Sequence, residues 1–253
     1  MTDALRLLSD DATGLGRPGS SSLPPATSSH KDKLLNEMDW MQLEAALAKG
    51  SSRYDEALLT YFRAACAAGL RPCEWAKARL DWQGTRHVLV VRNAKGTNGR
   101  SHGPYRRLVW DEEDDIEHIQ AWLSYVSRVL SGTTGGERLE VWTTYRRALQ
   151  DRLRAVCDHL WPRRKSHLVL YSARHTFTAR IKAVNGTREV AALLGHAVDD
   201  TATHHYARAS KGSRRPPNLG SLPRAHIRDV QRVRVTTDKA AIPERSRSAL
   251  QVP

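Results

Sequence analysis

Long apolar segments are missing from this sequence, and cysteine is scarce. No apolar run approaches the roughly 20 residues that a membrane-spanning helix needs, so we expect no membrane partner. Residues 1–10 hold two acids and no sustained apolar core, so we expect no N-terminal signal peptide. The cysteines, Cys66, Cys73 and Cys157, are odd in number and form no Cys-x-x-Cys pair. This pattern is typical of reduced thiols in the cytoplasm.

Nucleotide-binding signatures are also missing. The chain has neither a Walker phosphate loop nor the glycine-rich fingerprint of dinucleotide-binding folds, and we expect no cofactor. We expect no metal site either. His204 and His205 follow His196 in the sequence, but adjacent side chains point apart and no group of carboxylates accompanies them. Any chemistry is therefore expected from ordinary side chains.

The chain is strongly basic. It has 40 lysine and arginine residues against 27 aspartate and glutamate residues, which gives a formal net charge of +13 and a pI near 10.1. Such a field attracts polyphosphates and releases their counterions, which favours a nucleic-acid partner. Arginine outnumbers lysine heavily, and its planar fork suits phosphate oxygens. Charge alone leaves open a merely soluble basic protein.

Apolar spacing and stop signals predict an α+β fold that is mainly helical, with a small antiparallel sheet. Strands are predicted between about residues 78 and 110, including Val88–Val91 and Tyr105–Trp110. Asp199 is predicted to cap a short helix that carries Tyr206. The other predicted helices cover 34–49, 52–68, 111–131, 143–160, 172–186 and 187–195, with a loop over 132–136.

The two ends of the chain differ from this pattern. Residues 1–33 are rich in glycine, serine and proline and are predicted to be a disordered N-terminal segment. Residues 211–253 are rich in arginine and carry five prolines, which predicts a basic, flexible tail. The folded domain is therefore predicted to cover 34–210.

The stretch from Tyr171 to Tyr206 combines the side chains that phosphate chemistry needs. The guanidinium of Arg174 can neutralise phosphate oxygens, and the imidazole of His196 can donate a hydrogen bond. The phenol oxygen of Tyr206 can attack the phosphorus.

That stretch resembles the C-terminal catalytic segment of the tyrosine recombinases, the phage integrase family. The family pattern is His-x-x-Arg, then Leu-Gly-His, then a tyrosine. Here the sequence has Tyr171-Ser-Ala-Arg174, then Leu194-Gly-His196, then Tyr206 ten residues later. Tyr171 stands where the family has a histidine. A phenol can donate or accept a hydrogen bond, but it is a poorer proton acceptor at neutral pH because its ordinary pKa is about 10.

Two upstream segments extend the resemblance to roughly residues 34–210. Gly69–Trp75 looks like the family's Gly-Leu-Arg-x-x-Glu segment, which implies a second phosphate-binding guanidinium at Arg71 and a supporting Glu74. Lys95 lies in the connection between two predicted strands, where the family places its catalytic lysine.

The resemblance implies a DNA strand transferase. Tyr206 would form a 3′-phosphotyrosine, Lys95 would protonate the departing 5′ oxygen, and Tyr171 would assist proton movement or phosphate binding. Stabilisation of the pentavalent phosphorus and support of the site would fall to Arg71, Arg174, His196, Glu74 and His175. The implied partners are duplex DNA and further copies of the chain, four at a complete exchange. The implied setting is the cytoplasm of a bacterial or phage-infected cell, on the nucleoid.

Three alternatives stay open. Besides a catalytic recombinase, the chain could be a DNA-binding module whose catalysis is lost or depends on a partner, a type IB topoisomerase-like enzyme with the same site, or a purely structural basic protein, which would not need the ordered motifs. Family members carry a helical core-binding domain that clamps DNA, and residues 1–33 are too few to fold into one. A partner that supplies this clamp is therefore part of the DNA-binding-module alternative.

In the family the segment after the tyrosine often docks on a neighbouring protomer, which would involve Leu219–Val235.

Overall fold

The computed structural model describes residues 31–32, 34–94, 100–111, 114, 116–199, 217 and 219–236. Its helices are α1 (Glu37–Lys49), α2 (Asp55–Ala68), α3 (Glu117–Val129), α4 (Gly135–Leu160), α5 (Ser172–Lys182), α6 (Thr187–Leu194) and α7 (Ile227–Arg232). Its strands are β1 (Lys31–Asp32), β2 (Arg79–Gln83), β3 (Arg86–Arg92), β4 (Tyr105–Asp111), β5 (His167–Leu168) and β6 (Arg224–Ala225), and a 3₁₀ turn covers Trp75–Lys77. The predicted fold class, mainly helical with a small antiparallel sheet, is confirmed. None of the helices described is long and apolar enough to cross a membrane.

Helix α2 lies at the centre of the domain because its surface is apolar on nearly every side. Ten of its 14 residues are buried, and it contacts α1, α3, α4 and α5. Tyr61 of α2 packs edge-on against Trp122 of α3, with ring centroids 5.3 Å apart. The helix ends at Gly69, whose φ of +65° is the left-handed conformation that glycine adopts without strain.

The main sheet has the strand order β2-β3-β4-β6 and is antiparallel throughout. Leu89 of β3 lies opposite Leu108 of β4, and both side chains are buried in the core. Alternation then places Trp110 and Arg106 on the same inward face of β4. A separate parallel pair joins β1 to β5.

Two predicted helix boundaries are wrong. The helix predicted over 111–131 begins at Glu117, because β4 continues to Asp111, whose N–H donates to the carboxylate of Asp114. The helix predicted over 143–160 begins eight residues earlier, at Gly135 inside the predicted loop, and forms the 26-residue α4. The first turn of α4 is held by Arg138, which donates to the carbonyl oxygens of residues 130 and 76. Such tertiary contacts outweigh the weak helix propensity of the local sequence.

Residues 219–236 differ from the flexible tail predicted over 211–253, because they pack on the domain. Strand β6 pairs with β4, and α7 lies against α6. The fully buried carboxylate of Asp229 accepts hydrogen bonds from the N–H of Arg107 at 2.8 Å and from its guanidinium at 3.0 Å. Arg180 of α5 donates to the carbonyl oxygens of Leu219 and Gly220. Polar contacts of this kind cannot be predicted from the spacing of apolar residues. The rest of the predicted tail and residues 1–30 lie outside the described residues.

Asp229→Asn should reduce the free energy of unfolding by about 2 kcal/mol, because hydrogen bonds to a buried charge are lost or weakened. Asp81→Asn removes the same charge from an exposed pair with Arg79 and should have little effect. Urea unfolding of the two variants measures the difference. Equal, small losses would mean that the C-terminal segment does not contribute to the stability of the domain.

Candidate active site

The carboxylate of Glu74 is the meeting point of the candidate site. It is almost fully buried, and it accepts a hydrogen bond from Nη1 of Arg71 at 2.7 Å and one from the N–H of Arg71 at 2.8 Å. Nη2 of Arg106 donates to it at 2.6 Å, and Nη1 of Arg106 lies 3.2 Å away. Arg174 Nη1 is 4.0 Å away. We call Arg71, Glu74, Arg106 and Arg174 the Glu74 cluster.

The local chain direction explains how Arg71 and Glu74 meet. Gly69 ends α2, and the next residues form a turn in which the N–H of Glu74 donates to the carbonyl of Arg71. This turn brings side chains three residues apart together. Burial alone would raise the pKa of Glu74, but the guanidinium groups of Arg106 and Arg71 outweigh it and hold that pKa well below its ordinary range. Glu74 is therefore ionised at neutral pH.

Arg174 connects the ends of two helices. Its fully buried guanidinium donates to the carbonyl of Gly69, which follows α2, and to the carbonyl of Leu194, the last residue of α6, both at 2.7 Å. Carbonyls at helix C-termini carry partial negative charge and suit a cation. Through Arg174, helix α5 thus holds together the two segments that carry Arg71 and His196.

The turn after α6 approaches the cluster closely because it contains glycine. Gly195 has a φ of +72°, and a Cβ there would collide with Asn93 Oδ1 and lie 3.2 Å from Nη1 of Arg106. A larger residue would be strained and would displace these groups. The next residue, His196, is buried, and its N–H donates to the carbonyl of Ala191 at 2.8 Å.

Arg106 belongs to the cluster but was missed by the sequence analysis. It is fully buried in β4. Burial lowers the pKa of its guanidinium, Glu74 opposes this shift, and Arg174 and Arg71 add to it. Its position in the strand could have predicted its role. Arg106 points to the same side of β4 as Leu108 and Trp110, and an arginine that faces the core requires a buried acid as its partner.

A cavity of about 760 Å³ lies beside the cluster. Tyr171 and His175 line it, with ring centroids 5.3 Å apart in an edge-on arrangement. Pro72, which follows Arg71, forms another part of its wall. Gln150 of α4 accepts a hydrogen bond from the N–H of Leu170 at 3.0 Å, which fixes the segment leading to Tyr171. The wall is rich in basic side chains: Lys31, Arg146, Arg147, Arg154 and His167.

The predicted site residues therefore fall into three groups. Arg71, Glu74 and Arg174 meet in one cluster, and the turn that contains His196 packs against it. Tyr171 and His175 line the adjacent cavity. The remaining two, Lys95 and Tyr206, lie outside the described residues.

No protein-family model matches the chain, and none of the curated proteins matches it. Among solved structures, the chain is similar to the XerH site-specific recombinase bound to palindromic difH substrate in a post-cleavage complex, with 14% identity over 74% of this chain and 52% of that chain and a TM-score of 0.47. The pre-cleavage XerH–difH complex has 15% identity over 68% and 49%, with a TM-score of 0.48. The Tn1549 transposon integrase in complex with a circular intermediate DNA has 15% identity over 76% and 66%, with a TM-score of 0.43. The chain spans about half the length of the XerH chains.

Glu74→Gln should reduce the free energy of unfolding by about 3–5 kcal/mol at neutral pH, because it leaves buried arginines without their carboxylate. The pKa of Glu74 is lower in the folded chain than in the unfolded chain, so its charge stabilises the fold above the ordinary value of 4.5. That stabilisation is lost as the pH falls from there. The stability difference between the wild type and Glu74→Gln should therefore shrink below about pH 4.5 in urea unfolding.

The matched control is Glu44→Gln, because Glu44 pairs with Arg63 at the surface. It should cost well under 1 kcal/mol at any pH. A difference for Glu74→Gln that stays constant down to pH 3 would contradict the strongly lowered pKa of Glu74.

Proposed function

We propose that the chain breaks and rejoins duplex DNA through a covalent 3′-phosphotyrosine at Tyr206, as a site-specific recombinase or integrase does. One observation carries this proposal. The guanidinium groups of Arg71, Arg106 and Arg174 surround the single carboxylate of Glu74, beside a large basic cavity. Among the described contacts, these three guanidinium groups share one carboxylate, and the phosphate of DNA is an anion that suits such a group of cations.

Burial makes this charge effective. When a phosphodiester is attacked, its oxygens gain negative charge, and fixed cations in a site of low dielectric constant stabilise that charge without reorganisation. Glu74 fixes Arg71 and Arg106, while helix-end carbonyls fix Arg174. Arg71 keeps the most exposed side chain of the three arginines, so it is the one best placed to reach DNA.

In the proposed reaction the phenol of Tyr206 loses its proton to solvent, its oxygen attacks the phosphorus, and the bond to the 5′ oxygen breaks. Lys95 gives its proton to that departing oxygen. The phosphodiester energy is kept in the phosphotyrosine, so a second 5′ hydroxyl can reverse the step on another strand without a nucleotide cofactor. His196 donates a hydrogen bond to a phosphate oxygen, and Tyr171 occupies the adjacent wall. Four copies of the chain would complete an exchange.

Helix α4 supplies a surface for the DNA backbone. Arg147 and Arg154 lie seven residues apart, so both project from the same side of the helix. Both are exposed and line the cavity, and Lys31 is a third cation on its wall. Cations along the wall of this cavity suit a polyanion better than a small neutral ligand.

A DNA-binding module without catalysis is the second candidate, and Tyr171 favours it. This phenol stands in the position of the family's histidine, so a proton-transfer group is replaced by a weaker one. Such a module would bind DNA with the same arginines and would never form a covalent adduct. A type IB topoisomerase-like enzyme would form the adduct but would rejoin the original strand.

Incubation with a suitably nicked duplex should give a protein–DNA adduct that survives denaturation, because a nick near the cleaved bond releases the leaving fragment and traps the phosphotyrosine. Tyr206→Phe should abolish this adduct while DNA affinity stays nearly unchanged, since only one hydroxyl is removed. Denaturing electrophoresis of labelled duplexes, drawn from DNA flanking the gene or from a random library, measures it.

The outcomes separate the candidates. Binding without any adduct across the library would favour the DNA-binding module. An adduct that persists in Tyr206→Phe would show that another residue is the nucleophile.

The combined change Arg147→Gln and Arg154→Gln should weaken binding to all duplexes. It should also reduce the slope of log affinity against log salt by about 1.8, since each phosphate contact contributes about 0.9. Arg79→Gln combined with Arg128→Gln removes the same charge from residues that do not line the cavity, and it should change the slope much less. Equal effects of the two pairs would mean that net charge, rather than this surface, governs binding.

A further inference from the structure

We propose that Arg106 is a positioning residue that, together with Asn93, fixes the two ends of the connection from β3 to β4. That connection contains Lys95. Arg106 would thereby set the place from which Lys95 reaches the phosphate, without touching DNA itself. The inference rests on the proposed function, because it assumes that Lys95 is the proton donor.

The guanidinium of Arg106 makes contacts in two directions. Nη2 donates to Glu74 at 2.6 Å, and Nη1 donates at 2.6 Å to Oδ1 of Asn93, the residue that follows β3. Nη1 also lies 3.2 Å from Glu74. Because a guanidinium is planar, these contacts fix Asn93 relative to the Glu74 cluster.

The chain enters the connection through two main-chain N–H groups, one held by Glu74 and one by the carbonyl of Pro104. The N–H of Ala94, the residue immediately before Lys95, donates to Glu74 at 3.2 Å. The N–H of Asn93 donates to the carbonyl of Pro104 at 2.8 Å, which continues the pairing of β3 with β4. Glu74 therefore orients both Arg71 and the main chain that leads into Lys95.

The chain leaves the connection through groups that Asn93 holds. The side-chain amide of Asn93 donates from Nδ2 to the carbonyl of Gly103 at 2.8 Å. This one side chain therefore bridges the start and the end of the connection. The residues that lead from the connection into β4 also contact α6 and the turn after it. The N–H of Ala197 donates to the carbonyl of Arg100 at 3.3 Å, and Nε2 of His102 lies 3.2 Å from the carbonyl of Ala192.

Arg106 is thus connected to the Glu74 cluster, to Asn93 and to the turn after α6. It contacts Glu74 and Asn93 directly, and Gly195 approaches both Asn93 and Arg106 closely. Arg106 is fully buried and does not line the cavity, so it is not placed to contact DNA. Its influence on the reaction must pass through the groups that it orients.

Arg107 provides a matched control on the same strand. It is the next residue of β4, and its side chain faces away from the Glu74 cluster to pair with the buried Asp229. A change from arginine to lysine at either position keeps the charge and removes the planar fork. Only the change at 106 removes a contact with Asn93.

The test compares Arg106→Lys, Arg107→Lys and Asn93→Ala on the duplex that traps the wild-type adduct, and on the same duplex with sulfur in place of the bridging 5′ oxygen. Sulfur is a better leaving group and needs no proton donor. With the oxygen substrate, Arg106→Lys and Asn93→Ala should form adduct about 100-fold more slowly, the order of magnitude that a general acid contributes. DNA affinity should be unchanged, and the sulfur substrate should restore both rates to near that of the wild type. Arg107→Lys should match the wild type on both substrates.

Three results would overturn the inference. A slow reaction of both variants on the sulfur substrate would show that they impair the phosphate site rather than proton donation. A normal rate on the oxygen substrate would show that the Arg106–Asn93 contact does not matter. Failure of the wild type to form an adduct with either substrate would remove the proposed function and the inference with it. Thermal unfolding shows whether each variant is folded. If Arg106→Lys does not fold, Asn93→Ala alone tests the inference, because it leaves the buried ion pair of Arg106 intact.

Discussion

The buried carboxylate of Glu74 holds together parts of the chain that are far apart in sequence. Arg71 reaches it from the turn after α2, Arg106 from β4, and the N–H of Ala94 from the end of β3. Arg174 of α5 lies next to it and is fixed by helix-end carbonyls. Burying several guanidinium groups is costly unless each finds compensating partners, and Glu74 is the one acid on which the described contacts of the cluster converge.

Much of this arrangement was predictable where a local rule applied. Glycine stop signals predicted the ends of α2 and α6, and the turn at Gly195 has the positive φ that such an end requires. The predicted strands and the mixed, mainly helical fold are present. Arg71 and Glu74 lie in one short motif and Arg174 in another, and each motif could be recognised because its own residues are close in sequence. The structure brings the two motifs together. The roles of Lys95 and Tyr206 stay predictions.

Other features depend on contacts that no local pattern encodes. Arg106 looks like one more surface arginine of a basic chain until its inward phase in β4 is considered together with Glu74, 32 residues away. The packing of residues 219–236 depends on Asp229 and on its partner 122 residues earlier, not on a long apolar face. The start of α4 depends on Arg138. In each case one polar side chain contacts a partner that is distant in sequence, whereas apolar periodicity depends only on residues that are close in sequence.

Strand β4 carries two consecutive arginines, and each is held by a different buried acid. Arg106 faces Glu74 on one side of the sheet, and Arg107 faces Asp229 on the other. A shift of the strand by one residue relative to β3 would exchange their faces and would turn Trp110 and Leu108 out of the core. One arginine would then take the place of the other at its acid, and the second acid would lose its partner. The register of β4 is therefore set by its apolar face together with the two ion pairs, and an edit that inserts or deletes a single residue in β4 would disrupt the core and one of the ionic sites at once.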